Sequence, residues 1–318
     1  MTSENPHSPR FQPAMLVPRY WFTWILLGLL WLVSWLPRRW IMKVGGWLGE
    51  RQMRRSDKRR HIATVNLELC FPHLSDDQRH EIMREHFRNY GRGMLDLGLI
   101  MMASKERIEK FATVRGRDNL ETHVGNRPVI LISFHTTTLD MCSSSLLADV
   151  KLVSMMKRDR NPVLNWFMYR ARTRAGNAIV YMRDQSLRGI VAGLRDGRVC
   201  YIIPDEDFGQ GRHTVFAPFF GQQRSTLNLV GRLAQKTGAV VIPAVCRLDP
   251  ETGLYTTEVG EALQNFPSAD EVANATTINR TLEEMLEPAI DQYLWTFRWF
   301  RTRPPGDPDP YESAGVEK

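Results

Sequence analysis

The sequence has few cysteines and lacks two common nucleotide-binding motifs. Its four cysteines, Cys70, Cys142, Cys200 and Cys246, form no C-x-x-C pair and match no zinc-ligand spacing. We therefore expect buried, reduced thiols. Neither G-x-x-x-x-G-K-[ST] nor G-x-G-x-x-G occurs, so nothing indicates nucleotide use. These absences lead us to expect no metal and no cofactor.

Positive charge, by contrast, is present in excess. Across 318 residues there are 42 lysines and arginines against 35 acidic residues, which gives a formal net charge of +7. With 43% hydrophobic and 24% charged residues, the chain has the composition of a globular protein of one large α/β domain or two smaller ones. A basic balance suits nucleic acid, an anionic membrane surface or an acidic protein, and alone it does not choose among them.

An uncharged segment near the N-terminus is the clearest membrane signal. Residues 20–36 read YWFTWILLGLLWLVSWL, with tryptophans near both ends, where membrane interfaces favour aromatic rings. A cleaved signal peptide fits less well, because no small-x-small site follows and Pro37-Arg38-Arg39 comes next. We predict an N-terminal membrane helix here. Whether it spans the bilayer or lies in the interface stays open, and a buried core helix is the alternative.

The charges that flank this segment are asymmetric. Residues 38–60 contain nine lysines and arginines against Glu50 and Asp57. By the positive-inside tendency, the C-terminal side of the segment should face the cytoplasm. The same cations would attract anionic lipid headgroups, at about 1 kcal/mol per residue near the surface.

Apolar runs and helical patterns alternate through the rest of the chain. A capping box at Ser75-Asp76-Asp77-Gln78 begins a helix. Short apolar runs at 129–134, 151–156, 179–182, 199–203 and 239–245 suit buried strands, with helical stretches between them at 139–150, 161–174, 186–195 and 226–236. This alternation predicts an α/β fold, a mixed sheet flanked by helices.

The predicted organisation has five parts. An N-terminal tail (1–19) precedes the membrane anchor (20–36), a basic amphipathic helical region (37–110), an α/β core (111–303) and a Pro-rich, mobile tail (304–318).

The strongest catalytic candidate is a His-x4-Asp pair, His135 and Asp140, in HTTTLD after the first apolar run. The bare pattern is weak, because a chain of this composition should contain about one match by chance, and a second match, His80-x4-Glu85, lies in a charged helix. His135, however, follows a predicted strand end, where α/β sheets place ligands. A histidine that is merely satisfied at a strand end is the alternative.

The chemistry of this pair suits transfer to an alcohol. An alcohol needs a general base as it attacks, and a neutral imidazole can take its proton. A carboxylate on the other ring nitrogen fixes the tautomer and stabilises the imidazolium. We therefore expect His135 to act as the base and Asp140 to orient it.

A second cluster, PDEDFG, holds Asp205 and Asp207 after another strand. Many lysines and arginines lie between the two candidate strand ends, and some of them could pair with these acids while others face an anionic substrate. Surface charge explains any single arginine equally well. The candidate substrate-binding residues are Arg158, Arg172, Arg174, Asp205 and Asp207.

These motifs form an ordered series. HTTTLD, KRDRNP, PDEDFG, VFAPFFG, TGAVVIP and the ending YLWTFRWFRTRP follow one another from residue 135 to residue 304. The series, its ending above all, resembles the late lipid A acyltransferases, the lauroyl/myristoyl family of lipid A biosynthesis. The likeness covers nearly the whole chain.

The resemblance implies a bacterial inner-membrane enzyme whose catalytic domain faces the cytoplasm and shares its α/β sandwich with glycerolipid acyltransferases. Such enzymes take an acyl chain from acyl carrier protein and esterify a hydroxyl of a primary hydroxyacyl chain on a lipid A precursor. Their His-x4-Asp/Glu motif maps onto His135 and Asp140, and Asp140 is one methylene shorter than the glutamate of many members. The implied partners are acyl carrier protein, the lipid A precursor and inner-membrane phospholipid, with no nucleic acid.

Several alternatives remain at this level. Backbone amides or an arginine, Arg172 above all, would stabilise the oxyanion. A covalent mechanism would use Cys142 or a serine among residues 143–145, although no G-x-S-x-G elbow is present.

The acceptor could be another glycolipid or a phospholipid, or the chain could bind anionic lipid without catalysis. The acyl channel could draw on side chains that also fit a plain core: Met141, Leu146, Phe167, Phe216, Phe219 and Phe220.

Overall fold

The computed structural model describes residues 8–146, 150–174, 176–184, 187–211 and 213–312. The helices of these ranges, apart from three short 3₁₀ turns, are α1 (Trp21–Val33), α2 (Arg38–Arg55), α3 (Asp57–Cys70), α4 (Asp76–Met102), α5 (Lys105–Glu109), α6 (Asp118–Glu121), α7 (Leu139–Leu146), α8 (Pro162–Thr173), α9 (Arg188–Arg195), α10 (Leu229–Thr237) and α11 (Glu271–Leu286).

The strands form one large sheet and a separate hairpin. They are β1 (Ala112–Arg115), β2 (Val129–Ile132), β3 (Leu152–Met156), β4 (Ala178–Met182), β5 (Val199–Ile202), β6 (Thr214–Phe219), β7 (Gln222–Leu227), β8 (Val240–Asp249) and β9 (Leu254–Val259). The seven-stranded sheet has the order β1-β9-β8-β2-β5-β3-β4. Five strands, from β8 to β4 in this order, are parallel, and β9 runs antiparallel to β8. The prediction of a mixed sheet flanked by helices is confirmed.

Alternating side chains of the central strands divide the interior into two cores. On β2, Ile130 and Ile132 face the core that contains α3, α9, α10 and α11. Val129 and Leu131 face the other core, which contains α5, α7 and β9. All four are buried, as expected of a parallel strand covered by helices on both faces.

The five apolar runs are all strands of this sheet. The pattern missed β1, β9 and the β6–β7 hairpin, and β7 (QQRSTL) is polar enough to give no strand signal. The helix expected from Thr226 begins only at Leu229, because Thr226 pairs with Val215 within the hairpin. The predicted helices at 139–150 and 186–195 are present as α7 and α9, and residues 147–149 and 186 lie outside the described ranges.

The predicted membrane helix at 20–36 is shorter than expected. The structure gives a 13-residue helix, α1, and the next helix begins at Arg38. Among the residues described, no helix is long and apolar enough to cross a bilayer. The attachment of this segment to a membrane, spanning or interfacial, stays a prediction.

Glycines let α2 and α4 pack with their backbones in contact. A Cβ atom on Gly49 would lie 1.9 Å from the carbonyl oxygen of Phe87, and one on Gly91 would lie 2.2 Å from that of Gly45. Two residues further along α4, a Cβ on Gly93 would lie 2.5 Å from the carbonyl oxygen of Thr137. The α4 helix therefore packs directly on the loop that follows β2.

A buried ion pair joins α2 to α4 and β9. Both carboxylate oxygens of Asp96 accept hydrogen bonds from Arg38, the second from Nη2 at 2.8 Å, and the Tyr255 hydroxyl donates to the same carboxylate. Arg38 also donates to the carbonyl of Gly253. The Asp96 side chain is fully buried, so its charge depends on these donors.

The C-terminal segment, predicted to be mobile from residue 304, packs on the core at least as far as Tyr311. That side chain is buried, and its hydroxyl donates to Asn66 Oδ1 at 2.6 Å and accepts from the Phe300 N–H. Residues 313–318 lie outside the described ranges.

We expect Asp96→Ala to destabilise the protein by about 3 kcal/mol, because it leaves the Arg38 guanidinium unpaired in a buried position. Denaturant or thermal unfolding of the detergent-solubilised protein measures this. Glu284→Ala is the control, since Glu284 pairs with Arg280 at the surface and should matter little. Equal effects of the two substitutions would show that the buried pair is not a special determinant of stability.

Candidate active site

Two adjacent parallel strands bring His135 and Asp205 together. Ile132 of β2 is in register with Ile202 of β5, and the N–H of Ser133 donates to the Ile202 carbonyl at 3.0 Å. The two strands end at the same edge of the sheet. His135 lies three residues beyond β2, and Asp205 lies three residues beyond β5. Both predicted residues therefore lie at the carboxyl edge of the sheet.

One carboxylate holds His135 at two points. Asp205 Oδ2 accepts from the His135 backbone N–H at 2.9 Å, and Oδ1 lies 2.6 Å from the imidazole Nδ1. A carboxylate only accepts, so Nδ1 must carry the hydrogen, and in a neutral ring the lone pair is then on Nε2. The Asp205 side chain is 1% exposed and that of His135 is 13% exposed, so solvent reaches the histidine only.

The expectation that Asp140 orients His135 needs correction, because Asp205 occupies that position. Asp140 lies in the first turn of α7, and its Oδ1 accepts instead from Arg172 Nη2 on α8 at 3.1 Å. Sequence separation suggested the Asp140 pairing, but strand adjacency determines the actual partner. The second His-x4-acid match, His80 and Glu85, lies entirely within helix α4 and not at a strand end.

The His135–Asp205 pair has mutually shifted pKa values. Burial has the largest single effect and lowers the pKa of His135, but the charge and hydrogen bond of Asp205, with the charge of Glu206, together raise that pKa above its ordinary value. For Asp205, burial favours the protonated form, yet His135 and Arg224 together lower its pKa. The pair is thus a buried carboxylate with a more basic imidazole.

The C-terminal aromatic segment covers this pair. The His135 carbonyl accepts from the Leu294 N–H at 2.9 Å, and the Tyr293 hydroxyl donates to Asp205 Oδ2 at 3.2 Å. The rings of Phe297 and Trp299 lie 5.5 and 6.1 Å from the imidazole. The ending YLWTFRWF therefore positions the site.

Arg224, which lies on β7 of the β6–β7 hairpin, contacts Asp205. Its Nη2 donates to the Asp205 carbonyl, and its side chain is fully buried. Sequence reasoning missed this residue, because β7, the strand that carries it, has no apolar pattern.

A cavity of about 730 Å³ lies beside the site. Its wall includes Leu139, Asp140 and Pro204, and Pro204 directly precedes Asp205 in the chain. The apolar part of the wall extends to Met101, Met102 and Ile108. None of the six side chains considered from sequence as acyl-channel residues lines it, and Met141, Leu146 and Phe219 are fully buried core residues.

The predicted substrate-binding residues have different environments. Arg172 and Arg174 line the cavity, and Arg174 also donates to the Ile100 carbonyl. Arg158 lies outside the cavity wall, half-exposed, near Asp184. Asp207 accepts from the backbone N–H groups of Gly209 and Thr302, so it connects its loop to the C-terminal segment.

The cysteines and serines near the site are poorly placed as nucleophiles. All four cysteines are free and buried, as expected, and burial raises the pKa of Cys142 to about 11. Ser143 donates to the Asp140 carbonyl, and Ser145 shares a hydrogen bond with Thr257. Neither serine contacts His135.

Comparisons with known proteins identify the family. The family model described as bacterial lipid A biosynthesis acyltransferase matches residues 8–302. The chain is 31% identical over 305 residues to the lipid A biosynthesis lauroyltransferase of Escherichia coli (strain K12), covering 95% of this chain and 99% of that protein. It is 30% identical to the lipid A biosynthesis palmitoleoyltransferase of the same organism (95% and 98% covered) and 26% identical to the myristoyltransferase (98% and 96% covered).

Among solved structures, the 1-acyl-sn-glycerophosphate acyltransferase of Thermotoga maritima is similar at a TM-score of 0.35 and 14% identity, covering 80% of this chain and 98% of that one. A likeness at that score carries no argument. The family match spans nearly the whole sequence: this chain is an acyltransferase and belongs to the bacterial lipid A biosynthesis acyltransferase family.

Proposed function

We propose that this protein transfers a fatty acyl group from the thioester of acyl carrier protein to a hydroxyl of a primary hydroxyacyl chain on a lipid A precursor. His135 acts as the general base and Asp205 orients it. The observation that carries this proposal is the imidazole held at Nδ1 by a buried carboxylate, beside a cavity with a largely apolar wall.

The proton transfer follows from the tautomer. The acceptor hydroxyl gives its proton to Nε2 of His135 as its oxygen attacks the thioester carbonyl. Asp205 then faces an imidazolium, whose charge it stabilises at 2.6 Å. As the C–S bond breaks, the imidazolium gives this proton to the leaving thiolate of the carrier, which restores neutral His135. Because a thioester is already activated relative to an oxygen ester, no external energy source is needed.

In this proposal, Asp140 and Arg172 act on the acyl donor, at its thioester carbonyl. Their ion pair lies in the cavity wall, with both side chains about one-third exposed. Arg172 has further N–H groups for the oxygen that becomes negative during attack, and Asp140 fixes its orientation. The apolar wall beyond them would accommodate a fatty acyl chain.

The acceptor class rests on the family, since the named relatives are lipid A biosynthesis acyltransferases. The alternative is an acyltransferase that acts on another glycolipid or on a phospholipid.

We expect His135→Gln to lower acyl transfer by about 10²–10⁴-fold, the usual contribution of a general base. Asp205→Asn should also slow transfer and should move the acid limb of the pH–rate profile to lower pH, because it removes the charge that raises the His135 pKa. Transfer from acyl carrier protein to a purified lipid A precursor, followed by mass spectrometry, measures both effects.

Asp140→Asn is the matched comparison for this test. It should slow transfer without moving the acid limb, because Asp140 contacts Arg172 and not His135. A limb that moves with Asp140→Asn and not with Asp205→Asn would reverse the assignment of the two carboxylates. Near-normal transfer by His135→Gln would refute the general-base role.

The N-terminal helices expose an apolar surface that suits the bacterial inner membrane, with the catalytic domain on the cytoplasmic side. Phe22 is 77% exposed, Trp35 61%, Trp47 59% and Trp40 53%. Exposed cations accompany them on α2, and the Arg51 guanidinium lies 5.5 Å from the Trp47 ring. We propose that α1 and α2 lie in the interface, with aromatic rings among acyl chains and cations at phosphates.

Trp40→Ser with Trp47→Ser should weaken binding to vesicles of anionic phospholipid by at least about tenfold, because each buried tryptophan contributes more than 1 kcal/mol. Vesicle flotation measures this. Val272→Ser, at an exposed apolar position on α11, is the control and should bind like the wild type. Unchanged binding by the double variant would exclude this surface as the attachment site.

The carrier-dependent rate should fall as salt rises, because an acidic carrier is steered by cations such as Arg158, which is half-exposed. Arg158→Ala should lower kcat/KM for acyl carrier protein at low salt, and the difference should vanish near 1 M salt. Arg280→Ala, at an exposed position on α11, is the control. A rate independent of ionic strength would contradict electrostatic docking.

A further inference from the structure

We propose that Arg224 is a positioning residue whose permanent charge keeps the Asp205 carboxylate ionised while His135 is neutral, so that the imidazole is free to accept a proton. This inference rests on the proposed role of His135 as general base. It assigns a function in the reaction to a residue outside the cavity wall and outside the His-x4-Asp motif.

Arg224 is buried to an unusual degree for an arginine. It lies on β7 with 0% of its surface exposed, and its guanidinium lies 4.5 Å from the Phe219 ring centroid and 5.2 Å from that of Trp299. Its Nη2 donates to the carbonyl of Asp205. The two rings and one carbonyl therefore fix the cation directly against the residue that holds His135.

Several N–H groups of this cation remain unsatisfied. Nε and Nη1 of Arg224 have no hydrogen-bond partner among the described residues. A buried cation with unpaired donors costs stability, and aromatic faces offset only part of that cost. Asp205 supplies a compensating charge, and its pKa is lowered in part by Arg224.

The other ionisable groups around the pair do not replace this charge. The pKa values of Cys70 and Tyr293 are raised well above their ordinary values by burial, so both groups are neutral near pH 7. On the solvent side of His135, Arg183 and Glu206 form an ion pair and offset each other. Glu283 of α11 also lies near Arg224 and accepts a hydrogen bond from the Phe220 N–H. A carboxyl group, charged or neutral, supplies no positive charge and so cannot replace Arg224.

The sign of the effect follows from the charge of the pair. With His135 neutral, the Asp205–His135 pair carries one negative charge in a buried setting, and a nearby cation stabilises that state. Removing the cation favours proton uptake by the pair. The imidazole would then be protonated at pH values where it must act as a base.

The test compares neutral and charged replacements of Arg224 in the full-length, detergent-solubilised enzyme. Arg224→Met and Arg224→Gln remove the charge, and Arg224→Lys keeps it. The kcat/KM for acyl transfer is measured from pH 5 to 10. We expect the acid limb of both neutral variants to move up by about one pH unit or more, with activity recovering at high pH. Arg224→Lys should keep the limb at the wild-type pH.

Arg92→Met is the matched control, because Arg92 is a buried arginine on α4 that pairs with Glu85 and not with Asp205. It should leave the limb in place. A loss of activity in Arg224→Met and Arg224→Gln that is uniform across pH, or a limb that moves equally in Arg224→Lys, would overturn the proposal and leave a packing role only.

A titration of His135 in the absence of substrate gives a second readout. The side-chain ¹⁵N resonances of His135, assigned by comparison with His135→Gln, report its pKa directly. An upward shift in Arg224→Met supports the proposal, and an unchanged value overturns it. If His135→Gln itself transfers acyl groups normally, the general-base function fails. If that variant is inactive and the Arg224 variants titrate like the wild type, only the role of Arg224 fails.

Discussion

The site depends on a single carboxylate that accepts two hydrogen bonds from one histidine, one from its backbone N–H and one from its ring. Asp205 binds the backbone N–H and the ring Nδ1 of His135, which sets the path of the loop and the tautomer of the ring together. This arrangement is possible because β2 and β5 are parallel neighbours and end at the same edge of the sheet. A carboxylate with two such donors remains ionised despite complete burial.

The surrounding fold restricts the movement of this loop from two further sides. Gly93 of α4 lets that helix contact the Thr137 carbonyl. The segment after α11 adds hydrogen bonds from Leu294 to His135 and from Thr137 to Gln292. Because the same α4 helix packs against α2, the exposed aromatic surface and His135 are parts of one rigid arrangement.

Sequence reasoning predicted the sheet, the helices between its strands, His135 and the acidic segment at Asp205, because apolar runs and strand-end motifs are local signals. It chose the wrong carboxylate for His135. Asp140 is five residues away in the chain, whereas Asp205 is 70 residues away and becomes adjacent only through strand pairing. Arg224 was invisible for a related reason, since its polar strand is a strand only because it pairs with β6. The length of α1 was overestimated because hydropathy does not locate the turn before Pro37.

The segment that covers His135 lies more than 150 residues after it in the chain. During synthesis, β2 and β5 leave the ribosome long before Tyr293, Leu294 and Trp299, so a growing chain holds the imidazole and its carboxylate without their aromatic cover. Completion of the site must therefore wait for the synthesis of this C-terminal segment. The His135–Asp205 pair can be covered only after every strand of the sheet and both N-terminal helices, α1 and α2, have been made.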